Sequence, residues 1–395
     1  MFGPFFSSSS SATYTRLNPV ITTRARRKLG WRTLLKWSLI AAVFGVLIFF
    51  IVCRVDLHLR IYVREWISPR KPVIIEPLSD GGACFQGSND EQPLSHHTVT
   101  FMPGNRAVDD ICYGFAATVR NPGSINPITF HTTWPDAGNS EQDDYDDDDD
   151  PVFTETHLAA IRSFAATQDQ NQTKLILWID PRHETRLLES PYWQQIGDDR
   201  ITYQKINWHR LAEETTTTTP VYRDPVLLRL WTLYRYGGVW FDMNTLFVRD
   251  LAPLLEQEWI AQGNCFTSVE GNPFQGTGLL HFQKKSPYLC EMLNGAVQRL
   301  ALGQELDESF YYQIYRRVLH HGIRPWAIVP WCFTDPSQCK RSNSLPSPFT
   351  QQSSFKKTWL QSIFAFHWHE NAWPAKPSGD IFRYLQSIHQ DVTGW

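Results

Sequence analysis

Residues 174–180 read KLILWID, a nearly continuous apolar run opened by a lysine and closed by a single acid. A strand that is apolar on both sides must be covered on both sides. That condition favours a sheet held between two layers of helix, and the neighbouring sequence supplies the helices. Residues 156–167 place Leu158, Ile161, Phe164 and Ala165 at helical spacing. Residues 225–236 set Val226, Leu230, Leu233 and Tyr234 near one helical face, and Gly237 stops that helix. Strands are predicted at 128–133, 201–206 and 239–247, the last as one continuous strand. Strands alternating with helices predict an α/β fold with a mostly parallel central sheet. Two more helices, at 287–302 and 308–321, precede short elements rich in Trp and Pro. No internal repeat is evident, and nothing divides residues 125–395 into two domains.

The N-terminal sequence sets the compartment. Residues 37–53, WSLIAAVFGVLIFFIVC, form an uncharged apolar run of 17. As a helix it would span roughly 25 Å, at the short end for a membrane span. It starts too far from the N-terminus for a signal peptide, and no small-residue cleavage site follows. Arg24, Arg26, Arg27, Lys28, Arg32 and Lys36 crowd its N-terminal side. Arg54, Arg60 and Arg64 are sparser beyond it, which predicts a cytoplasmic N-terminus. The expected plan is a tail (1–36), a transmembrane anchor (37–53), a stem (54–120) and one large body (121–395). Any ordered part of the stem would lie near Cys84 and Cys112.

Net charge is −3 for the whole chain. Residues 1–36 hold seven Lys or Arg and no acid, leaving 30 basic against 40 acidic residues elsewhere, a net −10. That balance argues against a nucleic-acid partner for the body. The acidic run 141–150, EQDDYDDDDD, lacks the alternation and glycine of a calcium loop and reads as a solvated loop. Beyond Cys53, six cysteines permit up to three disulfides in an oxidising compartment, with fifteen full connectivities. Sequence proximity makes Cys332–Cys339 the easiest pairing to guess. Asn171-Gln172-Thr173 is a glycosylation sequon, compatible with a lumenal surface loop.

The chemistry concentrates in YGGVWFDMN, residues 236–244. Gly237 and Gly238 permit a tight helix-to-strand turn and close backbone approach. Asp242 and Asn244, two apart on a strand, would project to the same side. Two such oxygen donors at a strand end can hold a hard cation, Mn²⁺ or Mg²⁺, whose shell is completed by water and phosphates. The plain structural alternative is a strand ending in a polar turn.

The longer stretch 223–251, RDPVLLRLWTLYRYGGVWFDMNTLFVRDL, resembles the DXD-containing, nucleotide-sugar-dependent glycosyltransferases. The closest group is glycosyltransferase family 32, with α-1,4-galactosyltransferases and fungal α-1,6-mannosyltransferases. Arg229, eight residues before Gly237, matches the family's helix. The resemblance extends over about residues 125–375. ITFHTTWP resembles the family's first strand, where Trp134 either stacks on a nucleotide base or fills the core. FQGTGLLHFQKKSPYL, residues 274–289, resembles the segment lining the sugar and acceptor cleft. AFHWHENAW, residues 365–373, resembles the C-terminal His-x-Trp segment, with His367 the favoured functional histidine and His369 the fallback.

The resemblance implies a GT-A-like nucleotide-sugar-binding fold and retaining transfer of a hexose. The donor would be of the UDP-galactose or GDP-mannose type, and the acceptor a glycan or glycolipid in the Golgi. Asp242 would hold the metal, with Asn244 and His367 completing or flanking it. Arg229 would orient the donor or brace Asp242, and Gly237, Gly238 and Asp224 would lie by the substrate. Two departures stand out: Asn244 replaces the second Asp, and Val226 occupies the position of the family's helical acid. Asp224 lies beside Pro225, where it could instead cap the helix. A catalytically weakened lumenal binding relative is the alternative.

Overall fold

The computed structural model describes residues 31–52, 76–86, 111–120, 126–135, 151–215, 223–265, 272–307, 309–339, 343–351, 354–369 and 378–395. The chain divides into Met1–Pro72 and Val73–Trp395. In the first unit, α1 runs from Trp31 to Val52 over 22 residues. Its described side chains between residues 35 and 49 are all exposed. Among the described residues no helix is long and apolar enough to cross a membrane. Cys53 and the acidic run 141–150 lie outside the described residues.

In the second unit the elements follow in order: α2 (Ile111–Thr118), β1 (Ile128–Trp134), α3 (Glu155–Thr167), β2 (Thr173–Ile179), α4 (Glu184–Glu189), β3 (Ile201–Lys205) and α5 (Trp208–Thr215). Then come α6 (Pro225–Tyr236), β4 (Gly238–Phe241), β5 (Thr245–Phe247), β6 (Trp259–Ala261), β7 (Leu279–Phe282), α7 (Pro287–Ala301) and α8 (Phe310–His320). The chain closes with β8 (Ala327–Val329), α9 (Trp331–Thr334), α10 (Lys357–Ser362), β9 (Ala365–His367) and α11 (Asp380–Thr393).

Seven strands form one sheet in the order β3-β2-β1-β4-β7-β6-β8. Strands β3, β2, β1 and β4 are mutually parallel, as are β6 and β8, while β7 runs antiparallel to both neighbours. The α/β class and mostly parallel sheet expected from the sequence are present. Alternate side chains feed two cores, one on each face. Phe130, Leu175, Leu177, Val239 and Phe241 pack with Leu158, Ile161 and Phe164 of α3. Trp178, Trp240 and Leu280 pack with Leu227, Leu230, Met292 and Ile314 of α6, α7 and α8. This double coverage is why LILWI, residues 175–179, is apolar throughout.

The expected continuous strand over 239–247 breaks at Asp242. After Phe241 the chain turns, and β5 pairs with β9 in a separate two-stranded antiparallel sheet. Asp242 and Asn244 therefore occupy a turn between two sheets, so the alternation that placed them on one side does not apply.

Two parts of the expected stem are fastened to this unit. Cys84 is bonded to Cys290 in α7, and Cys112 in α2 to Cys332 in α9. Cys339 joins Cys265. The expected Cys332–Cys339 pair is thus absent. The reason is packing around α9: Tyr113 stacks on Trp359 at 4.4 Å and donates to the Pro336 carbonyl, which holds α2 and its Cys112 against Cys332. Arg249 strengthens that contact by donating to the carbonyls of Ala116 and Val119, at the end of α2, and to that of Ser362. Near Ser79, the carboxylate of Glu291 is fully buried. It accepts from Ser79 N–H and from Arg317, so the buried charge is compensated.

Buried histidines give this unit a pH dependence. His131 accepts from Trp178 Nε1 at its Nδ1 and therefore donates from Nε2 to the Gly237 carbonyl. Burial lowers its pKa to about 4, the backbone bond opposing. Burial likewise lowers His157 to about 3 and His281 to about 4. Each folded pKa lies below the unfolded value near 6.5, so stability is complete above pH ~6.5 and is lost as pH falls towards 4. Asp224, Asp250 and Glu258, raised by burial, titrate in the opposite sense. The His131→Gln variant isolates one contribution: its unfolding free energy should change with pH between 7 and 5 by about 2 kcal/mol less than the parent's. Identical pH slopes in urea titrations would refute a neutral buried His131.

Candidate functional site

The parallel strands β1, β2 and β4 all end at one edge of the sheet, at Trp134, Asp180 and Asp242. Crevices outside the carboxyl ends of such strands are where α/β folds bind ligands. The antiparallel strand β7 starts at this edge, because Phe241 pairs with Leu279. Asp242 N–H then donates to the Gly278 carbonyl at 2.9 Å.

Asp242 is held by two donors on one oxygen. Arg229 Nη2 reaches its Oδ1 at 2.7 Å, and Trp240 Nε1 reaches the same atom at 2.9 Å. The Arg229 side chain is 12% exposed and that of Asp242 26%. The guanidinium also lies 5.7 Å from the Trp240 ring and donates to the Thr277 carbonyl at 3.5 Å. Arg229 thus braces Asp242, one of the two roles expected for it. Tyr311 of α8 belongs to the same group. Burial raises its hydroxyl above the ordinary range, while the Arg229 charge pulls it down.

Asn244 faces the other way. Its Nδ2 donates to the Trp368 carbonyl at 2.7 Å, and its own carbonyl accepts from Trp368 N–H at 3.1 Å. A carbonyl can only accept, which fixes the amide orientation. Asn244 Oδ1 is left buried with no hydrogen-bond partner.

Next to it stand the two histidines, joined by a residue the sequence did not single out. His367 Nδ1 lies 2.6 Å from Asp335 Oδ1, and His369 Nε2 lies 2.7 Å from the same oxygen. Their ligand-type atoms all fall within 4.8 Å of one another, a group that could hold a metal ion. Asp335 is completely buried, and its Oδ2 accepts from Thr334 Oγ1 at 2.7 Å. Burial alone would raise its carboxyl; the charge and hydrogen bonds of His367 and His369 hold it below the usual range. The segment Gly276-Thr277-Gly278 links the two clusters. A Cβ on Gly278 would lie 2.4 Å from His367 Nε2, and one on Gly276 2.5 Å from His369 Nδ1.

Asp242, Arg229, Asn244 and His367 are therefore brought to one region, and His369 joins His367 rather than replacing it. The other expected residues lie elsewhere. Gly237 and Gly238 sit at the opposite end of β4, where Gly238 pairs with Phe282. Four residues at ~3.3 Å each put Gly238 roughly 13 Å from Asp242. There they border a cleft of about 660 Å³ with Tyr236, Glu256, His281 and Lys284. Their role is close packing: Gly238 has φ 106°, and a Cβ on it would meet the Thr129 carbonyl oxygen at 2.0 Å. Trp134 is 1% exposed, packed against Phe153 and close to His157 and His183. A base cannot stack on it in this conformation. Asp224 is the N-cap of α6, accepting from Leu227 N–H at 2.9 Å with Pro225 next in the chain. Another cleft, about 290 Å³ with Arg249, Tyr384 and His389 in its lining, also stands apart from Asp242.

No protein-family model matches the chain, and no curated protein matches its sequence. Among solved structures it is similar to the galactosyltransferase LgtC in complex with donor and acceptor sugar analogs. There the identity is 11%, the coverage 67% of this chain and 96% of that chain, and the TM-score 0.37. It is similar to mouse xyloside xylosyltransferase 1, apo form, at 10% identity, covering 63% of this chain and 100% of that one, with a TM-score of 0.36. It is also similar to PaToxG glycosyltransferase at 12% identity, covering 54% and 75%, with a TM-score of 0.34. Likeness at these TM-scores is loose and assigns no role to any residue of this chain.

Proposed function

We propose that the chain transfers a hexose from a nucleotide sugar to a glycan or glycolipid acceptor, with retention and with a divalent cation. The observation that carries this reading is the Arg229–Asp242 pair at the carboxyl end of β4, next to the Asp335, His367 and His369 group. Asp242, held by Arg229 and Trp240, would accept hydrogen bonds from donor hydroxyls. Arg229 keeps a cationic donor at the edge where a diphosphate would leave. The chemistry of the residues fits a cation: the two imidazoles of His367 and His369 and the Asp335 carboxylate stand together. Bound there, Mn²⁺ or Mg²⁺ would offset the growing charge on the leaving diphosphate. No side chain is assigned as a nucleophile. The full-length protein with Mn²⁺ is expected to hydrolyse or transfer from UDP- or GDP-hexoses. A screen of these donors with no turnover and no thermal stabilisation would reject the reading. It would leave a lumenal binding relative, which the use of the Asn244 amide as a strand clamp also favours.

The proposed setting is the Golgi membrane, with residues 37–53 as anchor and the body lumenal. Three disulfides support an oxidising compartment. Asn171 of the sequon is exposed in the turn before β2. A lumenal body should carry a glycan there, removed by endoglycosidase and absent in Asn171→Gln. A chain that is not glycosylated when expressed in secretory cells counts against that orientation.

A further inference from the structure

We propose that the cation is ligated by Asp335, His367 and His369, and that Asp242 and Asn244 support the site without binding the ion. This deepens the proposed function and rests on it only for the cation's purpose.

Three side chains converge on one point. Asp335 Oδ1 lies 2.6 Å from His367 Nδ1 and 2.7 Å from His369 Nε2. Ligand atoms at ~2.1 Å from an ion stand about 3.0–3.4 Å apart. Opening these 2.6 and 2.7 Å contacts by roughly 0.3–0.8 Å would admit the ion. The rings have no comparable alternative, because each outer edge is closed by a glycine. His367 Nε2 faces Gly278 and His369 Nδ1 faces Gly276 so closely that a Cβ would collide with either.

The three side chains are also held by ordered backbone. His367 ends β9, and His369 follows two residues later with its Nε2 on the same Asp335 oxygen. The ring centroids stand 4.7 Å apart. Asp335 directly follows α9, which Cys112–Cys332 fastens, and its N–H donates to the Trp331 carbonyl. All three ligands therefore come from fixed backbone rather than from the turn at 242–244.

Charge separates this group from Asp242. Asp242 is already neutralised by Arg229, and a guanidinium 2.7 Å away opposes a second cation on the same carboxylate. Asn244 spends its Nδ2 and its backbone carbonyl on Trp368, the residue between the two histidines. It is a positioning residue that sets the register of the ligands. The negative charge missing from Asn244 is supplied by Asp335, so the amide does not mark a lost metal site. Two imidazoles and one carboxylate suit Mn²⁺, Co²⁺ or Zn²⁺ better than Mg²⁺, which prefers oxygen.

The test uses the full-length protein, Co²⁺ titrations followed by calorimetry, and the visible Co²⁺ spectrum. His369→Gln and Asp335→Asn should each weaken Co²⁺ binding by more than about 100-fold, beyond the 10–100-fold typical of outer partners. Both should also change the spectrum. Asp242→Asn should keep the affinity within a few-fold and leave the spectrum unchanged. His369 is partly exposed, so its variant tests the site even if Asp335→Asn does not fold. Unchanged affinity and spectrum in His369→Gln, or binding lost in Asp242→Asn alone, overturns the proposal. Co²⁺ binding that depends on His369 in a protein that turns over no sugar nucleotide supports this site and defeats only the proposed function.

Discussion

Asp242→Asn should lower nucleotide-sugar turnover by about 10²–10³-fold, the loss typical when one preorganised polar group is removed from an active site. The substitution keeps an oxygen for Trp240 Nε1 or Arg229 but removes the charge that fixes Arg229. The pair is partly exposed, at 12% and 26%, which places it between surface and buried ion pairs. Its stability cost should therefore be about 1–3 kcal/mol, so the protein remains folded while activity collapses. Steady-state kinetics with a matched thermal melt checks both halves. Turnover within about tenfold of the parent would show that Asp242 is a strand-end brace and nothing more.

Gly238→Ala should be the most damaging small substitution in the described sheet. The residue has φ 106°, and its Cβ would meet the Thr129 carbonyl oxygen at 2.0 Å and carbon at 3.0 Å. Both are backbone atoms of β1, so no side-chain rotation relieves the clash. Overpacking of about 1–3 kcal/mol or more adds to backbone strain of order 1–3 kcal/mol. The sum is a large part of an ordinary stability of about 5–15 kcal/mol. We expect failure to accumulate folded protein, or a melting temperature lower by roughly 10 °C. Gly303→Ala is the control, because φ there is 68° but nothing lies within 4 Å of the added carbon. If the two variants melt alike, the contact with β1 is not what requires Gly238.

The glycines illustrate what sequence reading could reach. Gly237 and Gly238 announced a tight turn and a close approach, and both are present. The resemblance also sets them by the substrate, but the four residues of β4 intervene: the turn lies at one end of the strand and Asp242 follows the other. The expected single strand over 239–247 had the right composition, since β4 and β5 are both apolar and buried. Nothing in that composition says which sheet each half joins. β5 leaves because its partner β9 arrives from more than 100 residues later in the chain.

By itself the sequence determined the periodicities, and with them the α/β class, most helix and strand positions and the Asp242 region, while leaving Asp224 between a substrate contact and the N-cap of α6. These are local properties, set within a turn of helix or a few strand residues. Only the tertiary structure decided the partners. Asp335, 32 residues before His367, carries no local signal, yet it joins both histidines through one oxygen. Cys332 passes over its neighbour Cys339 for Cys112, 220 residues away. Long-range pairings are chosen by which surfaces pack once the two cores close around the sheet, and spacing along the chain does not encode that choice.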